Sequence, residues 1–298
     1  DLGYWTGYIG KWHLASDGGY LPKPGGGATR FATRAIPPER RGGFSDLWVA
    51  ADALEMTSGP YQGHLFDGNG DKVALHGYRV DAVTDIAIEA LQHRTDDRPR
   101  LFVSCLEPHP QNGRFRSIGP RGWASRFSDH DVPGDLVGRF GDWRWNYSEY
   151  LACCASIDAN LGRIIETLRT SGELDDTLVV YSSDHGSHFR TRNLEYKRTA
   201  HDASIRVPLV LRGPGFRGGE RIGSLTSNLD LVPTLVAAAG GGDPGLPGAP
   251  LQSVVAGDVD RDAVLIQVSE SQIGRALRTK DHTYAVRAPG IDPWAGYK

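Results

Sequence analysis

Hydrophobic positions in this chain fall twice into the same order, a helix-period stripe followed by a short apolar run. Between residues 78 and 94, Val80, Val83, Ile86, Ala87 and Leu91 recur at helical spacing, and Leu101-Phe102-Val103-Ser104-Cys105 then has the length of a buried strand. The order repeats downstream. Leu151, Cys154, Ile157, Leu161, Ile164, Ile165 and Leu168 make one helical stripe, Gly172 supplies a stop, and Thr177-Leu178-Val179-Val180-Tyr181 reads as a strand. Alternation of this kind predicts an α/β fold whose sheet is mainly parallel. Residues 5–9, 205–211 and 264–268 read as further strands and residues 229–239 as a helix. Residues 18–41 are rich in Gly and Pro, with too little periodicity for regular elements, and read as a long surface excursion. A boundary near residue 260 divides the chain into 1–260 and a shorter 261–298.

Composition narrows the class. At 298 residues and 39% hydrophobic content the chain can bury a sizeable core, which excludes a disordered segment. Its 33 Lys and Arg against 36 Asp and Glu leave a formal charge of −3, so no excess of positive charge exists to hold a nucleic-acid backbone or an anionic membrane. Any anionic ligand must be caught locally. Cys105, Cys153 and Cys154 are odd in number and two are adjacent, which argues against a disulfide framework. No run of about 18 apolar residues is present to span a membrane. The opening Asp1-Leu2-Gly3 is neither an initiator methionine nor a signal peptide, and Gly3-Tyr4-Trp5-Thr6-Gly7-Tyr8-Ile9-Gly10 already reads as core. The chain is therefore expected to begin in mid-protein or after processing, and Pro293-Trp294-Ala295-Gly296-Tyr297-Lys298 likewise has no stop to its pattern.

In open α/β sheets ligands gather beyond the carboxyl ends of strands, and three polar clusters fall there: Lys11-Trp12-His13, Glu107-Pro108-His109 and Ser183-Asp184-His185-Gly186. Lys11 and His13, two residues apart, point the same way if the segment stays extended. An ammonium can then hold an anionic oxygen while an imidazole moves a proton, or the pair is a surface lysine beside a partly buried histidine. Asp184 and His185 precede Gly186, where a turn can bring a carboxylate to a hard cation, although a strand-terminal Asp is also a common helix cap. His188 and His201 extend that cluster, and a zinc site from His185, His188 and His201 is the alternative. Four cations in residues 190–198 read as a solvated face or as anion contacts. Asp67-Gly68-Asn69-Gly70-Asp71 imitates the start of a calcium loop but has Lys72 where glycine is required and Tyr78 where glutamate is, so it reads as a hairpin turn. Cys153-Cys154 falls on the buried side of a helix and is not a redox pair.

Together these clusters resemble the sulfatase family of the alkaline phosphatase superfamily. Gly10-Lys11-Trp12-His13-Leu14 is similar to the family's second signature, Glu107-Pro108-His109 to its proline-histidine element and Ser183-Asp184-His185-Gly186 to its metal-binding turn. Tyr196-Lys197, with Ser204-Ile205-Arg206-Val207-Pro208-Leu209 and Arg212-Gly213-Pro214-Gly215, resembles the segment carrying the second sulfate-binding lysine, and Asp230-Leu231-Val232-Pro233-Thr234-Leu235 the helix near the end of the main domain. The resemblance covers residues 3–14 and 78–287 and leaves 15–77 unmatched. It implies an alkaline phosphatase-like α/β fold, with a large mainly parallel sheet flanked by helices and the start of a smaller C-terminal sheet unit, truncated at both ends. It further implies that Asp184 and His185 bind calcium, His185 standing where many relatives have asparagine or histidine. Lys11, His109 and Lys197 would hold sulfate oxygens, and His13 would orient or deprotonate the nucleophile, with Lys11 beside it in the catalytic set.

One departure matters. Family members use a formylglycine made from cysteine or serine in a Cys/Ser-x-Pro-x-Arg motif, and none of the three cysteines here has a proline two residues later. That motif and a pair of metal-binding aspartates are expected upstream of Asp1. The resemblance then implies a sulfuric ester hydrolase in which a hydrated formylglycine hydroxyl attacks sulfur in line, the alcohol leaves, and the second hydroxyl expels sulfate. The substrate would be a small-molecule or carbohydrate sulfate ester. A formylglycine-generating or anaerobic maturase enzyme is the implied partner, and export to the periplasm or beyond the cell is the implied compartment. Two rivals stay open: a phosphonate or phosphate ester hydrolase of the same superfamily, and a non-catalytic protein that binds sulfated ligands.

Overall fold

The computed structural model describes residues 2–16, 31–94, 99–111, 115–216, 218–269 and 274–288. Much of the expected 18–41 excursion and all of residues 293–298 lie outside them. The chain divides into two compact units, one of residues 3–132 and 144–172, the other of residues 133–143 and 173–298.

In the first unit, β1 (Trp5–Lys11), β2 (Leu47–Ala51), β3 (Gln62–Phe66), β4 (Lys72–His76) and β5 (Pro99–Ser104) form one sheet in the order β4-β3-β2-β1-β5. β1 runs parallel to β2 and β5, while β3 is antiparallel to both β2 and β4, so the sheet is mixed rather than mainly parallel. Both connections reverse the chain, β2 to β3 through residues 52–61 and β3 to β4 through the 67–71 turn. Asp67 Oδ1 accepts the backbone N–H groups of Asn69 and Asp71, each at 2.9 Å, and folds β3 back on β4 as a hairpin, as the failed calcium motif predicted. Between β2 and β3 lies a single helical turn, α1 (Leu54–Thr57). After β4 comes α2 (Arg79–His93), whose buried Ala82, Val83 and Ala87 pack with Ile9, Val49, Leu65 and Leu75 of the sheet. The long α3 (Trp143–Thr170) begins well before the stripe that predicted it and stops at Gly172, whose φ is +78°. Gly10, with φ +112°, has no room for a side chain beside β5: a Cβ there would meet the Ser104 carbonyl oxygen at 2.0 Å.

The second unit opens with β6 (Val179–Ser182), continues through α4 (Asp202–Ile205) and β7 (Leu209–Arg212), and pairs β6 with β7 antiparallel. The strand expected over 205–211 is thus shorter than its apolar run. Ile205 closes α4, and Pro208, with no N–H to give a ladder, stands just before the pairing starts. α5 (Leu231–Ala238) and α6 (Leu251–Ala256) follow, and Leu251 and Val254 cluster with Phe216, Leu178, Leu209 and Leu231. β8 (Val264–Val268), β9 (Gly274–Arg278) and β10 (Thr283–Arg287) make the expected smaller C-terminal sheet, antiparallel throughout. No described helix is long and apolar enough to cross a membrane.

Candidate active site

The first unit carries Lys11, His13 and His109. Pairing of β1 with its neighbour continues past the strand end, with Trp12 N–H donating to Ala51 O and His13 N–H to Asp52 O, both at 2.9 Å. At His13 the chain turns, with φ +57°, so the extended geometry expected to align Lys11 and His13 ends there. The reason is Asp52. Its buried carboxylate accepts the N–H of Ala15 at 2.9 Å, the N–H of Ser16 at 3.1 Å and the Ser16 hydroxyl, and so draws the chain round immediately after His13. Trp12 packs edge-on to Tyr8 and Trp48, with ring centroids 4.8 and 5.2 Å away. Burial pushes the Tyr8 phenol up to about 12, against a smaller lowering from its hydrogen bond with Ser104.

Lys11 Nζ lies 3.1 Å from Glu55 Oε2 and 3.3 Å from Oε1, with the lysine side chain 13% exposed and the glutamate 1%. His109 sits in the turn after β5, its N–H donating to Leu106 O at 3.0 Å and its Nδ1 lying 2.8 Å from Pro110 O. The preceding Glu107, joined to Pro108 by a cis peptide, is buried against Arg79: its Oε1 accepts from Arg79 Nη2 at 2.6 Å and from Nε at 3.0 Å. Sequence reasoning picked out Glu107 but missed Asp52, Glu55 and Arg79. The available signal was carboxylates set in the apolar run Trp48-Val49-Ala50-Ala51-Asp52-Ala53-Leu54-Glu55.

The second unit carries Asp184, His185 and Lys197, and here three predicted residues meet. His185 Nδ1 lies 2.9 Å from Gly186 O, so it donates, leaving the ring's lone pair on Nε2. Lys197 Nζ donates to that Nε2 at 2.7 Å, and Asp184 Oδ2 is 3.1 Å from it. The turn is tight because Gly186 N–H donates to Ser204 O at 2.8 Å and a Cβ on Gly186 would meet Ala203 O at 2.1 Å. Asn228 Nδ2 braces it from the other side, donating to Ser183 O at 3.1 Å and Asp184 O at 3.3 Å.

The turn that carries Asn228 is held by a wholly buried carboxylate. Asp230 accepts from Arg261 Nη1 at 2.6 Å and Nη2 at 2.5 Å, and from the N–H groups of Ser227 and Ala249, each at 2.8 Å. Ser227 caps the 3-10 turn Asn228–Asp230 reciprocally. The Asp184 carboxylate projects into solvent, its side chain 81% exposed. Desolvation by the surrounding chain raises its pKa, but hydrogen bonding by His185, its backbone N–H at 2.9 Å included, with the charge of Lys197, outweighs that and holds it below the ordinary carboxylate range.

The ionised Asp184 carboxylate suits a hard cation, and His185 Nε2 can join it as a ligand only in place of its contact with Lys197 Nζ. These two donors are a fraction of the six to eight that calcium takes. Among the described residues no group of three or more His, Cys, Asp or Glu gathers, so His185, His188 and His201 do not assemble the alternative zinc site. His188 is instead fully buried and its imidazole pKa is lowered by burial, while His201 is exposed before α4. In the 190–198 charge run, Arg190 pairs with Asp142 at 3.6 Å and Arg198 with Glu195 at 3.2 Å. The three cysteines are free, and burial pushes Cys105 up to about 12 and Cys154 up to about 11.

A family model described as Sulfatase matches residues 1–241. An ulvan-active sulfatase of Formosa agariphila is 28% identical over 97% of this chain and 56% of its own length. An N-acetylglucosamine-6-O-sulfatase of Bacteroides thetaiotaomicron is 24% identical over 80% of this chain and 52% of its own. The chain spans about half the length of these curated relatives. A crystal structure from Bacteroides fragilis, described as a candidate sulfatase, superimposes with a TM-score of 0.79 at 24% identity, covering 96% of this chain and 65% of that one.

Proposed function

The chain belongs to the sulfatase family, and from that premise we propose that its site hydrolyses a sulfate monoester of a carbohydrate or another small molecule. The observation that carries this reading is the contact of Lys197 with the Asp184-His185 turn, where a cation-suited carboxylate, an imidazole and an ammonium lie side by side. Sugar substrates are favoured by the name of the Bacteroides thetaiotaomicron relative, which acts on N-acetylglucosamine-6-O-sulfate groups.

In this proposal Asp184 and His185 supply two of the ligands of a calcium ion. Calcium, when bound, offsets the negative charge gathering on the sulfate oxygens. Lys11, His109 and Lys197 donate to those oxygens, Lys197 turning from the His185 Nε2 that it otherwise contacts. His13 orients the nucleophile or takes its proton. The nucleophile is a formylglycine outside these 298 residues, whose hydrated aldehyde supplies the attacking oxygen. A formylglycine-generating or anaerobic maturase enzyme installs that aldehyde.

Asp184→Asn in the full-length protein tests the assignment. Hydrolysis of 4-nitrophenyl sulfate is expected to fall about 100-fold or more, and added calcium no longer to stimulate what remains. Turnover and calcium response equal to wild type overturn the metal assignment. An aryl phosphonate run in parallel and hydrolysed faster than the sulfate overturns the choice of ester.

A further inference from the structure

Four charges in the first unit, three of them buried, alternate in sign along one chain of contacts. Lys11, the last residue of β1, pairs with Glu55 of α1. The Glu55 backbone oxygen accepts from Gln111 Nε2 at 3.4 Å, and Ser58 O accepts from the same group at 3.0 Å. Gln111 Oε1 accepts from Arg79 Nη2 at 3.2 Å, and Arg79, at the start of α2, grips Glu107 at 2.6 Å. Glu107 leads directly into Pro108 and His109, whose turn is closed by Ser117 Oγ donating to Pro108 O at 2.7 Å. Arg79 also donates to Ser58 Oγ at 3.1 Å and Gly59 O at 3.2 Å, so every arm of its guanidinium is occupied inside the unit.

Two facts argue that this arrangement serves geometry rather than stability. Buried ion pairs contribute little net stability, because desolvating the charges offsets their attraction. Yet the network starts at Lys11 and ends at Glu107, two residues before His109, and Lys11 and His109 are the two residues of this unit proposed to grip sulfate. A lysine ammonium has three N–H groups on a flexible stem, and one carboxylate fixes where the remaining donors can point. Glu107 Oε2 is buried with no hydrogen-bond partner, so its charge leans on Arg79 and the His109 turn cannot shift without moving that guanidinium.

We propose that Glu55 is a positioning residue, which through its carboxylate sets the Lys11 ammonium and through Gln111 and Arg79 ties it to the turn bearing His109, so that both anion donors are placed as one unit. This rests on the reading of Lys11 as a sulfate contact. Glu55 touches no substrate and acts only through Lys11 and the network. Displacing a donor by about 1 Å can cost on the order of 100-fold in rate, which sets the scale of the effect.

The test uses the full-length enzyme and 4-nitrophenyl sulfate, with kcat, KM and thermal unfolding recorded for Glu55→Gln, Gln111→Met, Lys11→Ala and the double variant Glu55→Gln/Lys11→Ala. Glu55→Gln is expected to lower kcat/KM by roughly 10–100-fold, chiefly in kcat, and Gln111→Met by roughly 10-fold. The double variant is expected to match Lys11→Ala within about twofold, because a residue that acts through Lys11 has nothing left to act on. If Glu55→Gln does not fold, Gln111→Met, which leaves every charge paired, decides the matter. Wild-type turnover in Lys11→Ala removes the sulfate-contact reading and this proposal with it. A slow Lys11→Ala beside wild-type rates for Glu55→Gln and Gln111→Met, or a double variant slowed by the product of the two losses, removes the role of Glu55 alone.

Discussion

Replacing Arg261 by methionine isolates the anchor behind the Asp184 turn. In the native fold Asp230 is wholly buried and takes two N–H groups from Arg261 and two from the backbone. Removing one partner of a buried pair costs roughly 3–5 kcal/mol, since the other charge is left in the interior. The Ser227 and Ala249 N–H groups remain on the Asp230 oxygens and keep the loss near the lower end, about 3 kcal/mol. Urea unfolding followed by far-ultraviolet circular dichroism reads it. Its pH dependence has a definite sign. Burial raises the Asp230 pKa, but Arg261 and the two backbone donors outweigh that and hold it below the ordinary carboxylate range. A carboxyl depressed by folding contributes stability above its unfolded pKa, about 3.9, and that contribution is lost as pH falls through the folded value. The variant lacks the guanidinium's share already, so the gap between it and wild type narrows as acid carries the pH from 7 to below the ordinary carboxylate range. A gap under about 1 kcal/mol at pH 7, or one that stays constant through acidification, refutes the argument.

Two further expectations concern the first unit. At pH 8 a thiol with a pKa of about 12, as burial and Glu107 give Cys105, is ionised in about one molecule in ten thousand, so iodoacetamide should leave Cys105 unmodified in the native chain over a period that alkylates all three cysteines in denaturant. Rapid native labelling of Cys105, mapped by mass spectrometry, contradicts its burial. Gly10→Ala puts a methyl group 2.0 Å from Ser104 O at a φ of +112°, and should cost on the order of 3 kcal/mol in thermal unfolding. A melting temperature within a degree of wild type means that β1 and β5 are farther apart there than described.

Periodicity carried the elements that bury one face. The stripe over 78–94 became α2, the run 264–268 became β8, and residues 229–239 gave α5 together with the turn before it, because each is long or apolar enough to declare its period. Residues 31–77 carried no such signal. They hold β2, β3, β4 and the single turn α1, elements of four or five residues whose partners lie in other elements, so their pairing is set by register rather than by local pattern. The antiparallel hairpin was announced only by its turn, and what it did to the sheet order could not be read from five residues. In the candidate site, Lys11, His109, Asp184, His185 and Lys197 were legible as motifs. The contact of Lys197 with His185, twelve positions away, arises from a turn stabilised by Ser204 and Asn228, and neither residue advertises that role. Glu55 and Asp52 look in sequence like two acids beside a strand. Only packing reveals that one faces Lys11 and the other closes the chain after His13.

The hold of Asp52 on Ala15 and Ser16 also bears on how such chains can be recombined. The signature segment 10–14 is locally complete in sequence, but its shape belongs equally to the strand beside it, since the carboxylate that bends the backbone after His13 and the one that faces Lys11 both follow β2. A graft of residues 3–16 into a relative therefore transplants the letters of the motif without its curvature. The heritable unit for this geometry is the pair of segments 3–16 and 47–55, and a chimera that keeps them together is expected to keep the bend after His13 and the Lys11–Glu55 pair, while one that parts them is not.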